Sequence, residues 1–149
     1  MDTQRHVYVL GDYTCHTTPK AWAQEVVSAY NKHRADRVVG EVNNGGELVE
    51  TTLRTVQPDI PFKAVHASRG KQVRAEPVSS LYEQGRAHHV GCFPALEDQM
   101  CEWIPGSGKS PDRVDGLVWA ITELLPVGVP SQPAPRFGGS VGVVGGTRI

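Results

Sequence analysis

The chain has 149 residues, enough for one domain with a buried core, and its 39% hydrophobic and 21% charged content is that of a water-soluble globular protein. A formal net charge of −1 leaves no global basic field, so any contact with nucleic acid must come from a local patch. Cys15, Cys92 and Cys101 are odd in number, widely spaced and lack a C-x-x-C pair, which argues against a disulfide framework and a structural zinc site and fits a reducing cytosol.

The N-terminal "MDTQRH" has no apolar signal core and no apolar run approaches membrane-spanning length, so the expectation is a soluble, intracellular protein. "HVYVLGDYT" (6–14) is rich in β-branched and aromatic residues and predicts a strand ending at a Gly-Asp turn. In the following segment Thr18 is placed as an N-cap and Pro19 as the first helical residue. Trp22, Val26, Ala29 and Tyr30 then form an apolar stripe at helical spacing. "DRVVGEV" (36–42) predicts a short strand apolar enough to be buried on both faces. Asn43-Asn44-Gly45-Gly46 breaks it, and a helix is expected from about Gly46 to Val56, with Asn44 and Glu47 spaced as a capping box.

"PFKAVHA" (61–67) predicts another strand. "SRGKQVRAEPVSSLYEQGR" starts a helix that Pro77 should kink or restart. "AHHVG" is short and strand-like, with His88-His89 read as a strand edge rather than a ligand pair, and "PALEDQMCEW" is helical. After a loop over 104–111, the last helix is expected from Pro111 to about Leu125. Ser110 is its N-cap, and Val114, Leu117, Val118, Ile121 and Leu125 face inward. Strand and helix alternate, so the predicted class is α/β with a parallel or mixed sheet over residues 1–125. Residues 126–149 hold four prolines and six glycines with hardly any charge, and predict a disordered tail.

"GSGKSPDRVDG" (106–116) raises two opposed readings. A phosphate-binding loop needs G-x-x-x-x-G-K-[S/T], but five positions before Gly108 stands Trp103, and the preceding stretch is helix-like rather than a strand. Spacing therefore rejects the nucleotide-hydrolase reading. Asp112 and Asp115 instead lie three apart on one helix face. Asp112 is explained by the preference of aspartate for a helix N-terminus. Asp115, among Val114, Leu117 and Val118, is harder to place in solvent. Glu41 is likewise costly inside an apolar strand unless a metal ion, a helix N-terminus or an arginine such as Arg37 or Arg69 satisfies it. Converging carboxylates suit Mg²⁺ or Mn²⁺, which prefer oxygen ligands. Arg69, Lys71 and Arg74, at the start of a helix, are most simply a solvated face. Beside an acidic cluster they become a clamp for a phosphodiester backbone.

Four blocks taken in order, "EVNNGGELVETTLR", "VHASRGKQVRAEPVSSLYEQGRAHHVG", "LEDQMCEW" and "SPDRVDGLVWAITEL", resemble the C-terminal nuclease domain of the phage large terminase subunit, over about residues 6 to 125. The resemblance implies a ribonuclease H-like mixed sheet flanked by helices. It also implies a metal-dependent endonuclease that cuts concatemeric double-stranded DNA during genome packaging. Of the family's three essential acidic residues, the second matches Glu41. The third belongs in the "SPDRVDGLVWA" block, where Asp112 matches best and Asp115 is the close contender. The basic helix start around Lys71 and Arg74 matches a basic block of the family, with Arg69 beside it, and implies DNA contact there.

The first aspartate of the family, on the domain's first strand and usually in Asp-Pro, has no counterpart. The chain begins in what corresponds to the second strand, where Asp12 lies within reach of the cluster. The ATPase domain is also missing. The expectation is a truncated or split large terminase, or its nuclease part only, in the cytoplasm of the host cell. Its implied partners are double-stranded DNA, the portal, the small terminase subunit and a terminase ATPase domain, with no membrane. The implied chemistry uses two metal ions about 4 Å apart, with Glu41, Asp112, Asp115 and Asp12 as candidate ligands and Glu41, Asp112 and Asp115 as catalytic candidates. With one carboxylate fewer, the alternative is a catalytically impaired DNA- or motor-docking fragment of the same family. A metal-free structural domain is the third possibility.

Overall fold

In a computed structural model, strands and helices alternate as the periodicities predict. The elements are β1 (Val7–Val9), α1 (Pro19–Lys32), β2 (Arg37–Glu41), α2 (Glu47–Val56), β3 (Phe62–Val65), α3 (Lys71–Glu83), β4 (Ala87–His89), α4 (Pro94–Glu102), α5 (Asp112–Leu124) and β5 (Val141–Val144). The structure describes residues 5–42, 47–109 and 111–125, and the backbone of 141–144. The class is mixed α/β, but the described strands form two sheets rather than one. β1 pairs with β4 in parallel, and β2 lies between parallel β3 and antiparallel β5.

Local chemistry explains most boundaries. Thr18 Oγ1 accepts the Ala21 N–H at 3.4 Å and Pro19 opens α1, because a proline there forfeits no intrahelical hydrogen bond. β1 keeps only three of the nine residues expected. Its ladder ends where β4 ends, and Asp12 then turns the chain by accepting the Thr14 N–H at 3.1 Å. α3 runs through Pro77 as one element, its apolar side held by Val78 and Leu81 in the core, so the expected restart does not occur. α5 begins one residue later than expected, with Pro111 at the cap position; Ser110 and the Asn44 of the expected capping box lie outside the described residues. Gly106 and Gly108 take φ of 83° and 76°, which makes the 104–109 stretch a glycine turn.

The tail expected to be disordered contains β5. Arg37 to Gly40 of β2 register with Val144 to Val141, and pairing stops one residue short of Glu41. The physical reason lies in β2: Val38 and Val39 are fully buried, so an unpaired ladder edge there would leave backbone N–H and C=O groups without partners. The other residues of 126–149 lie outside the described set.

Two apolar cores flank the strands. Ala23, Val26 and Val27 of α1 meet Val38, Leu53 and Ile60. Val78 and Leu81 of α3, Leu96 of α4 and Val114, Leu117, Val118 and Ile121 of α5 meet Val7 and Ala87; Leu125, expected inward, packs against this second core. At Gly40 a Cβ would lie 2.8 Å from the Phe62 ring, so the residue before Glu41 has no room for a side chain. α5 packs against β2 and α3, which brings the end of β2 and the first turns of α3 and α5 to one place.

Candidate active site

Glu41 ends β2 and is 2% exposed, and Asp115, in the first turns of α5, is 3% exposed. A buried carboxylate is tolerated only with compensating charge or hydrogen bonds. Both are supplied by side chains at helical spacing on the two facing helices: Lys71 and Arg74 on α3, Asp115 and Trp119 on α5. The Trp119 indole N–H donates to Glu41 Oε2 at 2.8 Å. One guanidinium nitrogen, Arg74 Nη2, lies 3.2 Å from Asp115 Oδ1 and 3.8 Å from Glu41 Oε2. Lys71 Nζ lies 2.6 Å from Asp115 Oδ2. The Arg74 guanidinium also sits over the Trp119 ring, 4.7 Å from its centroid.

Some hydrogen-bonding capacity in this cluster is unused. Arg74 Nε is buried without a partner, and Asp115 Oδ2 has an ion-pair contact but no aligned hydrogen bond. Two carboxylates therefore face two cations, with the charges balanced and the hydrogen bonding incomplete.

The sequence candidates separate in space. Glu41 and Asp115 come together. Asp112, the better match by resemblance, is exposed at the first position of α5. Arg74, expected to face phosphate, has a side chain only 10% exposed and is turned onto the two carboxylates. Lys71 is partly exposed and Arg69 half-buried; the Arg69 carbonyl accepts from Arg74 Nη1 at 3.3 Å. Glu41 is satisfied by Trp119 and Arg74, not by Arg37, which pairs with Glu123. Trp119 was not singled out from sequence. Its signal was the i, i+4 spacing from Asp115, which puts an N–H donor on the same helix face.

Asp12 has partners other than those of Asp115. It pairs with Arg113 and accepts the Thr14 hydroxyl at 2.6 Å. A cavity of about 570 Å³ nevertheless has Asp12, Glu41, Asp112 and Arg113 in its wall, beside apolar residues such as Trp22 and Leu117. Glu41 thus stands between the cation-filled pocket and this cavity. Among the described residues, no three His, Cys, Asp or Glu side chains gather as a metal cage.

Partial burial pushes the pKa of Asp12 up, but hydrogen bonds from Thr14 and the Arg113 guanidinium outweigh it, and its carboxyl is held below the usual range. A depressed pKa means stability that is present above the unfolded pKa and lost as pH falls through the folded one. Asp12→Asn is therefore expected to lower the melting midpoint more at pH 7 than at acid pH, the difference closing as pH falls through the folded-state pKa and the wild-type carboxylate is protonated. An equal loss at both pH values, measured by circular dichroism melts, would show that the charge of Asp12 contributes nothing.

A second polar network lies on β4. His89 Nδ1 is 2.9 Å from Glu97 Oε1, and the Tyr82 hydroxyl is 2.8 Å from His89 Nε2. Glu97 also accepts the Phe93 N–H at 3.1 Å. Hydrogen bonding from His89, then from Phe93, holds the Glu97 carboxyl below the usual range, and burial with the nearby Glu97 charge pushes Tyr82 up to about 12. These contacts tie α3, β4 and α4 together. His88 stacks on His6 and Tyr8 in the neighbouring β1 region, as expected of a strand-edge residue.

A family model described as the terminase RNase H-like domain matches residues 4–124. No curated protein and no solved structure matches the chain. No helix among the described residues is long and apolar enough to cross a membrane.

Proposed function

The chain belongs to the terminase RNase H-like domain family, a nuclease-type domain of DNA-packaging motors, and from that premise we propose that it is a divalent-metal-dependent endonuclease that cuts concatemeric double-stranded DNA during packaging. The observation that carries this reading is the buried pair Glu41 and Asp115, brought from β2 and α5 to the two sides of one guanidinium nitrogen. Burying two carboxylates together costs stability that an apolar pair would not. Such costs are tolerated at functional sites.

The donor set fits Mg²⁺ or Mn²⁺. Both take oxygen ligands, and Mg²⁺ is commonly held by one or two carboxylates with water and substrate phosphate completing the shell. When bound, the ion supplies Lewis-acid polarisation of the scissile phosphodiester. Glu41 and Asp115 are its primary holders in this reading. Asp12 and Asp112, which line the same cavity as Glu41, would be the candidates to help hold a second ion. Trp119 keeps the Glu41 carboxylate oriented through its indole N–H. In this reading Lys71, the first residue of α3, and Arg69, two residues before it, would meet a backbone phosphate, and such contacts carry little sequence information. Double-stranded DNA is then the substrate. The portal, the small terminase subunit and a terminase ATPase domain are the proposed partners, and the host cytoplasm is the proposed place of action.

Plasmid nicking by the full chain in Mn²⁺ tests the reading and ranks the ligands. Asp115→Asn is expected to slow nicking by about 100-fold or more, while Asp112→Asn stays within a few-fold of wild type. The reverse ranking would move the site to the cavity mouth. A folded wild-type chain that binds DNA but never nicks it would replace the enzyme reading with the docking-fragment reading.

A further inference from the structure

The cations in the carboxylate pocket match, in charge, what a divalent ion would bring. Glu41 and Asp115 carry two negative charges, and Arg74 and Lys71 supply two positive ones. Arg74 Nη2 contacts both carboxylates, at 3.2 Å from Asp115 Oδ1 and 3.8 Å from Glu41 Oε2, so one cationic group is shared by the pair.

The guanidinium is incompletely used for a buried arginine. It has five N–H donors, of which Nη2 donates to Asp115 Oδ1 at 3.2 Å and Nη1 to the Arg69 carbonyl at 3.3 Å, while Nε has no partner. Its contact with Glu41 is 3.8 Å, beyond hydrogen-bond length. Asp115 Oδ2 meets Lys71 at ion-pair distance without hydrogen-bond alignment. The pair is thus neutralised with one buried donor left over and Glu41 held by the guanidinium only at ion-pair distance, as expected of cations that can be exchanged.

We propose that Arg74 and Lys71 are resident counter-cations of the Glu41–Asp115 pair, displaced when a divalent ion binds. The proposal rests on the metal-site reading above. Trp119 serves both states. Its indole N–H holds Glu41 whichever cation is present, and its ring supports the guanidinium in the metal-free one.

Competition of this kind has a direct signature. A ligand that binds only the open state has its apparent affinity reduced by the fraction of molecules in that state. If the cation-held state dominates by about ten to one, removing the resident cation tightens ion binding by about tenfold.

The experiment is calorimetric titration of Ca²⁺, an oxygen-seeking probe, into the full chain and into Arg74→Gln, Lys71→Ala and Glu41→Gln, with melting midpoints recorded with and without Ca²⁺. The proposal expects Arg74→Gln to bind about tenfold more tightly than wild type and Lys71→Ala to tighten by a smaller factor. Ca²⁺ should raise the melting midpoint of Arg74→Gln more than that of wild type, and Glu41→Gln should lose binding. If Glu41→Gln loses binding while Arg74→Gln and Lys71→Ala bind no more tightly than wild type, the two cations are structural and the inference is overturned with the metal site intact. If Glu41→Gln binds like wild type, or no chain binds Ca²⁺, the metal-site reading falls and the inference with it. Should Arg74→Gln fail to fold even in Ca²⁺, the partly exposed Lys71→Ala decides the matter alone.

Discussion

Glu41→Gln is expected to lower Mn²⁺-dependent nicking by about 10³-fold or more, equivalent to about 4 kcal/mol of activation barrier. The substitution removes the charge and keeps the shape. The glutamine carbonyl still accepts the Trp119 indole N–H that now reaches Glu41 Oε2 at 2.8 Å, and Arg74 keeps Asp115 at 3.2 Å. Folding should therefore change little, and the loss belongs to the chemistry. Glu41→Leu would differ, because it strands the buried indole donor at a cost of about 1–3 kcal/mol. Nicking rates paired with circular dichroism melts separate the two effects. A Glu41→Gln chain that cuts at the wild-type rate would end the assignment of this carboxylate.

Removal of Arg74 is expected to have the largest effect on stability. Arg74→Met leaves Glu41 and Asp115, 2% and 3% exposed, beside each other with Lys71 as the remaining cationic neighbour in the pocket. Breaking a buried ion pair by deleting one partner costs about 3–5 kcal/mol, because the other charge stays buried without compensation. Against a total of about 5–15 kcal/mol for a typical domain, that is a large share. Urea denaturation should show the loss as a lower midpoint with an unchanged slope. The triple variant Arg74→Met, Glu41→Gln, Asp115→Asn should recover most of it, since no buried charge is then unmatched. A triple variant as unstable as Arg74→Met alone would mean that the methylenes and ring stacking of Arg74, rather than its charge, hold the helices together.

Periodicity and composition made the elements legible up to residue 125. Thr18-Pro19 marks the start of α1 because capping is a local matter of one hydroxyl and one missing N–H. Val38, Val39 and Glu41 read as a buried strand with an acidic end because an apolar run that short has no solvent face. Asp115 was suspect for the same reason, set among Val114, Leu117 and Val118. The length of β1 was not legible: a strand ends where its partner ends, and β4 is 80 residues away in register. Nor was β5, whose Val-Gly-Val-Val gains a reason to be extended only from the open, buried edge of β2.

What the sequence alone determined, then, is which residues prefer helix or strand, which carboxylates sit where water is scarce, and which basic residues share a helix start. The tertiary structure decided what each of them faces. Asp112 and Asp115 share a face by spacing, yet one is exposed and the other buried, because Arg74 and Lys71 of α3 meet α5 at Asp115. On α3 itself Arg74 is turned inward while Lys71 stays partly exposed. Helix spacing says which side chains travel together. Only the packing of α3 and α5 against the end of β2 says that a guanidinium, an ammonium and an indole meet two carboxylates there, because that meeting depends on contacts between segments tens of residues apart.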